Sequence, residues 1–233
     1  MKKIVLMLLL LCLILPGCQK KGASDGQSEE GSSAAEPVSV DENQETAAVS
    51  GETIAIMTIK DYGDIKIKFF PDSAPKAVEN FQTLASSGYY DGLIFHRIID
   101  EFMIQGGDPT GTGYYGESCW GEAFEDEFSN LVPIRGALCM ANSGANTNGS
   151  QFFFVQAHES YKDYLDQFGL SDEQKELFIN YGGTPWLYKA HTVFGQVYEG
   201  MDVIDTIAKV QTDGNDKPRQ DVIIEHIEIT TAP

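Results

Sequence analysis

Short strand-like segments separated by turn residues fill this chain from residue 52 onward, and they constrain its fold more than any other feature. Two alternating runs, Thr53–Ile59 and Ile65–Phe69, flank the turn at 61–64 and predict a β-hairpin. Later segments lie around 94–99, 102–105, 138–140, 151–155 and 192–197, and a last alternating strand spans 222–229. Such short strands bury their apolar residues only within a shared sheet, so the pattern predicts a mainly β protein.

Two helical segments interrupt the strands. Apolar residues at helical spacing predict one helix that begins near Pro75 and ends at Gly88, and another from Gly200 to Lys209. Many strands with two interspersed helices favour a closed antiparallel β-barrel with the helices outside it.

The beginning of the chain is typical of an export signal. Met1–Lys3 is basic, and the apolar run Ile4–Leu15 is shorter than the roughly 20 residues of a membrane span. The run ends in Leu15-Pro16-Gly17-Cys18, which resembles the bacterial lipobox. We expect a lipoprotein signal peptide at 1–17 and lipidation of Cys18; a plain secretory signal with an incidental cysteine is the alternative.

The segment 18–51 differs in composition from the rest of the chain. It is rich in Ser, Gly, Ala and Glu, and it contains no aromatic residue and no hydrophobic period. Such a segment buries too little surface to offset its ordering entropy. We therefore expect a disordered acidic tether at 18–51 that joins a domain at 52–233 to the outer side of a membrane.

The net charge excludes one class of partner. The formal charge is −19, and removal of Lys2 and Lys3 with the signal lowers it to −21. A polyanion of this size is repelled by nucleic acid and by anionic lipid head groups. We expect no nucleic-acid binding, and membrane association through the lipid chains on Cys18 alone.

Two cysteines, Cys119 and Cys139, fall within the predicted domain. Export permits a disulfide between them. The apolar surroundings of Cys139 in Ala137–Met140 favour a buried free thiol instead. No Cys/His spacing indicates a zinc site, so we expect no metal.

Three stretches are polar where barrel strands are expected to be simple: 95–108, 140–154 and 186–195. Side chains alternate along a strand, so Met103 and Gln105 share one face, as do Gln151 and Phe153. Each pair offers an apolar group and an amide. Two such strands side by side would form an apolar pocket with amides at its rim, which suits a peptide-binding groove.

These stretches resemble the signature regions of the cyclophilins, in order, over about residues 52–230. The strings are FHRII at 95–99, FMIQGGD at 102–108 and NTNGSQFF at 146–153. The resemblance implies a closed eight-stranded antiparallel β-barrel capped by two α-helices. It also implies peptidyl-prolyl cis/trans isomerase activity without a cofactor, on proline-containing polypeptides, in a monomer.

The resemblance also implies roles for individual residues. Arg97 matches the catalytic arginine, and we expect Phe102, Gln105 and His191 to act with it. The substrate-binding matches are Met103, Ala141, Asn142, Gln151, Phe153, Trp186 and Leu187. Trp186 matches the tryptophan that contacts cyclosporin in drug-sensitive members, so cyclosporin-type inhibitors are further expected ligands. Taken singly, most of these residues would be assigned ordinary surface or core roles.

Three departures from the family pattern bear on the groove. The region 157–185 is longer than in compact cyclophilins, and a capping-box pattern at Ser171 predicts a helix within it. This insertion is either a specificity element or a surface excursion, and the low cost of long insertions slightly favours the second. Lys189 stands where many members have glycine, which we expect to change the turn. Asp100 and Glu101 add negative charge, which predicts a bias against acidic substrates.

The leading hypothesis is thus an isomerase that assists the folding of exported proteins. A non-catalytic proline-peptide binding module, or holdase, would use the same pocket without needing Arg97. A lipoprotein with a substrate-binding or structural role is a third possibility, which the barrel-like strand pattern disfavours.

Overall fold

The computed structural model describes residues 43–233. The predicted signal peptide 1–17, the lipidation site Cys18 and the tether up to residue 42 lie outside the described residues. Within 43–233, no helix is long and apolar enough to cross a membrane.

Strands and helices fall close to the segments that the sequence predicts. The strands are β1 Thr53–Ile59, β2 Gly63–Phe69, β3 Arg97–Ile99, β4 Met103–Gly106, β5 Ala137–Met140, β6 Phe152–Val155, β7 Val193–Glu199 and β8 Ile224–Thr231. The α-helices of the described chain are α1 Pro75–Ser86, α2 Asp172–Tyr181 and α3 Met201–Ala208. Short 3-10 helices lie at Leu165–Phe168 and Pro185–Leu187.

The eight strands form one antiparallel sheet in the order β3-β4-β6-β5-β7-β2-β1-β8. The sheet curls into a half-barrel but stays open between β3 and β8, so the predicted closed barrel is wrong in this respect. At the start of the two edge strands, residues 92–95 and 222–224 are linked by an isolated bridge between Ile94 and Ile223 and by hydrogen bonds such as that from Phe95 N–H to Val222 O at 3.0 Å, but β3 and β8 themselves do not pair. The physical reason lies at β3, where Ile98 N–H donates to Asp216 O at 2.8 Å. The loop before β8 therefore occupies the edge of β3 that a closing strand would need.

Helices α1 and α3 pack on the curled sheet as the two predicted helices. The N-terminus of α1 has no side-chain cap of its own. Instead, the Glu127 carboxylate accepts hydrogen bonds from Lys76 N–H at 3.0 Å and Ala77 N–H at 2.9 Å. A carboxylate at this end satisfies free N–H groups and complements the helix dipole.

Helix α2 is the helix predicted inside the insertion. The predicted capping box is confirmed, because Ser171 Oγ accepts from Gln174 N–H and Gln174 Oε1 accepts from Ser171 N–H. The chain thus has a third helix beyond the two that the family resemblance implies.

Apolar residues cover both faces of the strands β4, β6, β5 and β7. Ile104, Leu138 and Phe154 belong to the cluster inside the half-barrel. Their neighbours in the chain, such as Met103 and Phe153, belong to a second cluster on the outer face. Strand alternation explains this division, since successive side chains point to opposite faces.

Residues 43–51, which the sequence assigns to the tether, lie against the domain. The buried Gln44 side chain accepts from Val132 N–H at 2.9 Å and donates to Val132 O at 2.8 Å. Lys68 Nζ donates to Asn43 O. A side-chain amide that satisfies both backbone groups of Val132 fixes this segment, so ordered structure starts earlier than residue 52.

Cys119 and Cys139 are both free thiols, and Cys139 is buried, as the sequence favours. Burial raises the pKa of the Cys139 thiol far above its usual range. The thiol therefore behaves as a small apolar group beneath the outer face.

Candidate active site

The register of three strand pairs brings predicted site residues into one row. Arg97 lies opposite Gln105 across β3 and β4, and Gln105 lies opposite Phe153 across β4 and β6. Phe153 lies opposite Cys139 on β5. Directly opposite residues on antiparallel strands have Cβ atoms about 4.5–5.5 Å apart. A cation, an amide and an aromatic ring are thus neighbours on the outer face of the sheet.

The floor of this face is apolar. Met103 and Phe153 are buried, the latter with 4% of its surface exposed. Phe102, Ala141 and Leu187 are partly buried around them and pack against the same cluster. A floor with this composition suits an apolar ring and offers it no hydrogen bond.

The rim carries a chain of amides. Gln105 Nε2 donates to Gln151 Oε1 at 2.9 Å. Gln151 Nε2 donates in turn to Gly113 O at 3.1 Å and to Tyr115 O at 2.7 Å. Two carbonyl acceptors fix the orientation of the Gln151 amide, and this orientation leaves its oxygen for Gln105.

The loop that supplies those carbonyls is organised by Asp108, a residue that the sequence does not single out for the site. Its carboxylate is 1% exposed and accepts from the N–H groups of residues 110 and 112–115 and from two threonine hydroxyls. Burial disfavours the charge, but the hydrogen bonds from Thr110, Gly113 and Tyr115 outweigh it and lower the pKa of Asp108 to about 2. The Gly- and Thr-rich run after an aspartate was the available signal, because such runs wrap around a carboxylate.

Arg97 is partly exposed at the end of this row. Its Nε lies 3.7 Å from Asp216 Oδ2, in the loop that also pairs with Ile98. Within residues 43–233 the guanidinium makes no hydrogen bond, so its planar fork of donors remains available to a ligand.

His191, in the turn before β7, lies on the opposite side of the apolar floor from Arg97. His191 Nδ1–H donates to Met140 O at 3.0 Å, and its ring meets Phe153 edge-on, with centroids 5.3 Å apart. Burial lowers the pKa of His191, while the bond to Met140 opposes this effect. The imidazole is therefore neutral at neutral pH, with Nε2 left as an acceptor.

Trp186 and Leu187 lie on the 3-10 helix at Pro185–Leu187. The Trp186 ring stacks at a tilt against Phe102, with centroids 6.0 Å apart, and 40% of Trp186 is exposed. In the following turn Lys189 adopts a φ of 56°. This is the left-handed conformation that favours glycine, so the turn keeps a glycine-like backbone despite the lysine.

Ala141 and Asn142 follow β5 at the edge of the groove. Ala141 N–H donates to Gln151 O at 3.0 Å. Within the described residues, the backbone N–H and C=O of Asn142 make no hydrogen bond to other backbone groups. This edge can therefore pair with an extended peptide, in the manner of an added strand.

A separate cavity of about 210 Å³ lies between residues 44–47 and the side chains of Tyr181, Tyr198 and Met201. The predicted site residues do not line it. In the described part of the chain, no group of three or more His, Cys, Asp or Glu side chains is arranged to hold a metal ion.

Comparisons with known proteins agree with this geometry. Residues 54–229 match the family described as cyclophilin type peptidyl-prolyl cis-trans isomerase/CLD. The chain belongs to this family of isomerases, which confirms the predicted family and enzyme class.

Two of the relatives are peptidyl-prolyl cis-trans isomerases by name. One, from Staphylococcus aureus (strain USA300), is 53% identical over 171 residues, which cover 72% of this chain and 87% of the relative. A bifunctional phosphatase/peptidyl-prolyl cis-trans isomerase of Streptococcus pyogenes serotype M6 is 54% identical over 185 residues. The match covers 77% of this chain but 39% of that longer relative.

Two crystal structures of a Cryptosporidium parvum cyclophilin type isomerase share the fold. One superposes with a TM-score of 0.64 at 36% identity, covering 78% of this chain and 99% of the other. The second was solved in the presence of the dipeptide Ala-Pro and gives a TM-score of 0.63 at 35% identity, covering 77% and 99%.

Proposed function

We propose that this isomerase accelerates X-Pro bond rotation in exported proteins, with Arg97 as its central catalytic residue. The isomerase class follows from the family. The location outside the membrane rests on the signal-like segment 1–17 and on Cys18. Export delivers unfolded chains whose X-Pro bonds equilibrate slowly, so an isomerase has a use there.

The observation that carries the catalytic proposal is the row of Arg97, Gln105 and Phe153. Rotation about a peptide bond faces a barrier of about 18–20 kcal/mol, because resonance gives the C–N bond double-bond character. In the twisted transition state the proline nitrogen becomes pyramidal and regains its lone pair. A guanidinium aimed at that nitrogen stabilises the transition state more than the planar ground state, which is what catalysis requires.

The other residues hold the substrate during the rotation. Met103 and Phe153 form the apolar floor for the proline ring, and Phe102, Leu187 and His191 form its walls. The Gln105 amide and the remaining acceptor site of the Gln151 oxygen bind the polar backbone beside it, since both Gln151 N–H groups already donate to Gly113 O and Tyr115 O. Asn142 provides the edge along which the peptide extends. These assignments require no nucleophile, metal or general base.

Proline-containing peptides are the proposed ligands. A related structure was solved in the presence of Ala-Pro, which supports this class. Cyclosporin-type macrocycles are proposed inhibitors, since the exposed ring of Trp186 borders the pocket. We further propose a monomer, which sedimentation equilibrium would test.

A proline-isomerisation assay separates the enzyme from a holdase. The full-length chain in mild detergent should accelerate cis-to-trans conversion of an X-Pro tetrapeptide. Arg97→Ala should lower kcat/KM by roughly 10²–10³-fold, the usual effect of removing one transition-state donor. Arg219→Ala is a matched control, because Arg219 lies in the 211–219 loop and donates from Nε to Thr212 O. An inactive parent chain that still binds the peptide would refute the enzyme proposal and favour the holdase.

Membrane anchoring has its own test. Replacement Cys18→Ser should abolish incorporation of a labelled fatty acid and release the protein from the membrane fraction. Cys119→Ser is the control. Continued lipid incorporation in Cys18→Ser would exclude Cys18 as the anchor.

A further inference from the structure

The insertion at 157–185 is a folded unit with its own small core. Leu165, Leu170 and Phe178 are buried there against Val132 and Ile134. The sequence slightly favours a longer surface excursion over a specificity element, and the structure shows that this segment is packed. Burial of three apolar side chains from the insertion itself makes it a fixed part of the domain.

Hydrogen bonds attach this unit to the segment before β5. Gln174 Nε2 donates to Asn130 O at 2.7 Å and to the Tyr188 hydroxyl at 3.0 Å. Near its end, Thr184 N–H donates to Pro133 O at 2.9 Å. The insertion is thus held at a fixed position when the chain enters the 3-10 helix that carries Trp186.

Both ends of the insertion meet at the groove. Tyr161, near its start, contacts the ring of Trp186 edge-on, with centroids 4.9 Å apart and an interplanar angle of 88°. Trp186 in turn packs against Phe102 on the pocket wall. Edge-to-face pairs at this distance are favourable beyond the area they bury. Tyr161 therefore restrains Trp186, which is still 40% exposed with this contact in place.

The backbone of Tyr161 is strained. Its φ is 50°, a conformation that bulky side chains rarely adopt. The turn is maintained because Tyr161 O accepts from Tyr164 N–H at 2.8 Å and Glu159 Oε1 accepts from Tyr161 N–H at 3.2 Å. Strain of this kind persists where the surroundings fix it, and it is concentrated at functional sites.

We propose that Tyr161 is a positioning residue of the isomerase site, which holds Trp186 against Phe102 so that this wall is formed before the peptide binds. The proposal rests on the proposed function. A preformed wall lowers the entropy lost on binding, because the indole is already restrained. Loss of the Tyr161 ring should therefore raise KM roughly threefold to tenfold while kcat stays nearly constant.

Three variants of the full-length chain isolate the ring from the turn. Tyr161→Gly removes the ring and its packing, and glycine adopts the observed φ without strain, so the turn should keep its conformation even if the thermal midpoint falls. Tyr161→Phe keeps the ring and should restore the parent KM. Tyr164→Ala is the matched control, because Tyr164 is 58% exposed in the same turn and makes no ring contact within the described residues. Asparagine, which tolerates this conformation, replaces glycine at 161 if the glycine variant unfolds.

Trp186 fluorescence gives a readout that does not depend on turnover. The chain has two tryptophans, so the measurement is made in a Trp120→Phe background. Tyr161→Gly should shift Trp186 emission to longer wavelength and weaken the response to an Ala-Pro peptide, whereas Tyr161→Phe should not. A folded Tyr161→Gly variant with parental KM and parental Trp186 emission would overturn the proposal. Failure of the proposed function differs from this, because it would appear as an inactive parent chain whose emission still depends on Tyr161.

Discussion

On one side of the groove, Arg97, Gln105 and Phe153 lie on adjacent strands, and the strand register aligns them. We call this the strand side. On the other, Trp186 lies on a short 3-10 helix and His191 in the turn that follows, and packing with the insertion and with β5 fixes them. We call this the loop side. A one-residue shift in the pairing register of a strand would move its side chains to the wrong face of the sheet. The loop side carries no such register constraint, so its geometry depends on packing with the insertion and β5 instead.

The largest expected difference between the sides is in stability. Phe153→Ala empties a buried position and should lower the free energy of unfolding by about 3–5 kcal/mol. Trp186→Ala removes a residue that is 40% exposed but contacts Phe102 and Tyr161, and should cost less, about 1–2 kcal/mol. Urea unfolding of both variants measures the contrast. Equal losses would mean that the loop side is as integral to the core as the strand side.

The next effect concerns Asp108, which supports the strand side through the loop bonded to Gln151. Its pKa is lowered from 3.8 to about 2 in the folded protein, so its charge stabilises the fold above about pH 4. This contribution is lost as the pH falls toward 2, and its size is about 2 kcal/mol. Asp108→Asn should lower the free energy of unfolding by about this amount at pH 6 and by less at pH 2.5. The exposed Asp100→Asn is the control, and a pH-independent loss at Asp108 would contradict the linkage.

A smaller effect distinguishes His191 on the loop side. Burial lowers its pKa below the usual 6.5, so the unfolded chain takes up the proton first as the pH falls. Stability should therefore decline below about pH 6.5 and should not change above it through this residue. His191→Gln should flatten the decline measured by thermal unfolding between pH 5 and 7. His96, just before β3, also has a pKa lowered by burial, so His96→Gln serves as the strand-side counterpart. If stability fell with pH as steeply in both variants as in the parent chain, these histidines would be excluded as the source of the decline.

The smallest expected effect is a charge preference at the groove mouth. Asp100 is exposed in the turn between β3 and β4, and it adds negative charge beside Phe102. A peptide with Lys next to the X-Pro bond should turn over up to a few-fold faster than one with Glu at low salt, and equally at high salt, because exposed charges are screened. Asp100→Asn should reduce the ratio. Equal rates for the two peptides at low salt would refute the preference.

The strand side could be predicted from the sequence because strand alternation is local. Once 102–105 and 151–155 are taken as strands, alternation places Met103 and Gln105 on the same face of one strand. It places Gln151 and Phe153 on the same face of the other. The free thiol of Cys139 followed in the same way from its apolar neighbours. The predicted helices and most strand bounds agree with the structure because turn residues, such as Gly88 and Gly200, stop or start them locally.

Other features depend on residues far apart in the chain. The open edge at β3 results from a hydrogen bond to Asp216, and the ordering of 43–51 from a bond between Gln44 and Val132. Neither Asp216 nor Gln44 is distinguished by the local composition or by a hydrophobic period. The Gly- and Thr-rich run after Asp108 marks a loop around its carboxylate, but only the fold places that loop beside Gln151.

The sequence by itself determined the strand and helix pattern, the face on which Arg97, Gln105 and Phe153 lie, and the isomerase family. Only the tertiary structure decided that the sheet stays open and that the insertion packs into the domain and brings Tyr161 to Trp186. The physical reason is the range of the interactions. Alternation and turn chemistry act within a few residues, whereas edge pairing and ring contacts are set by which distant segments reach the same place.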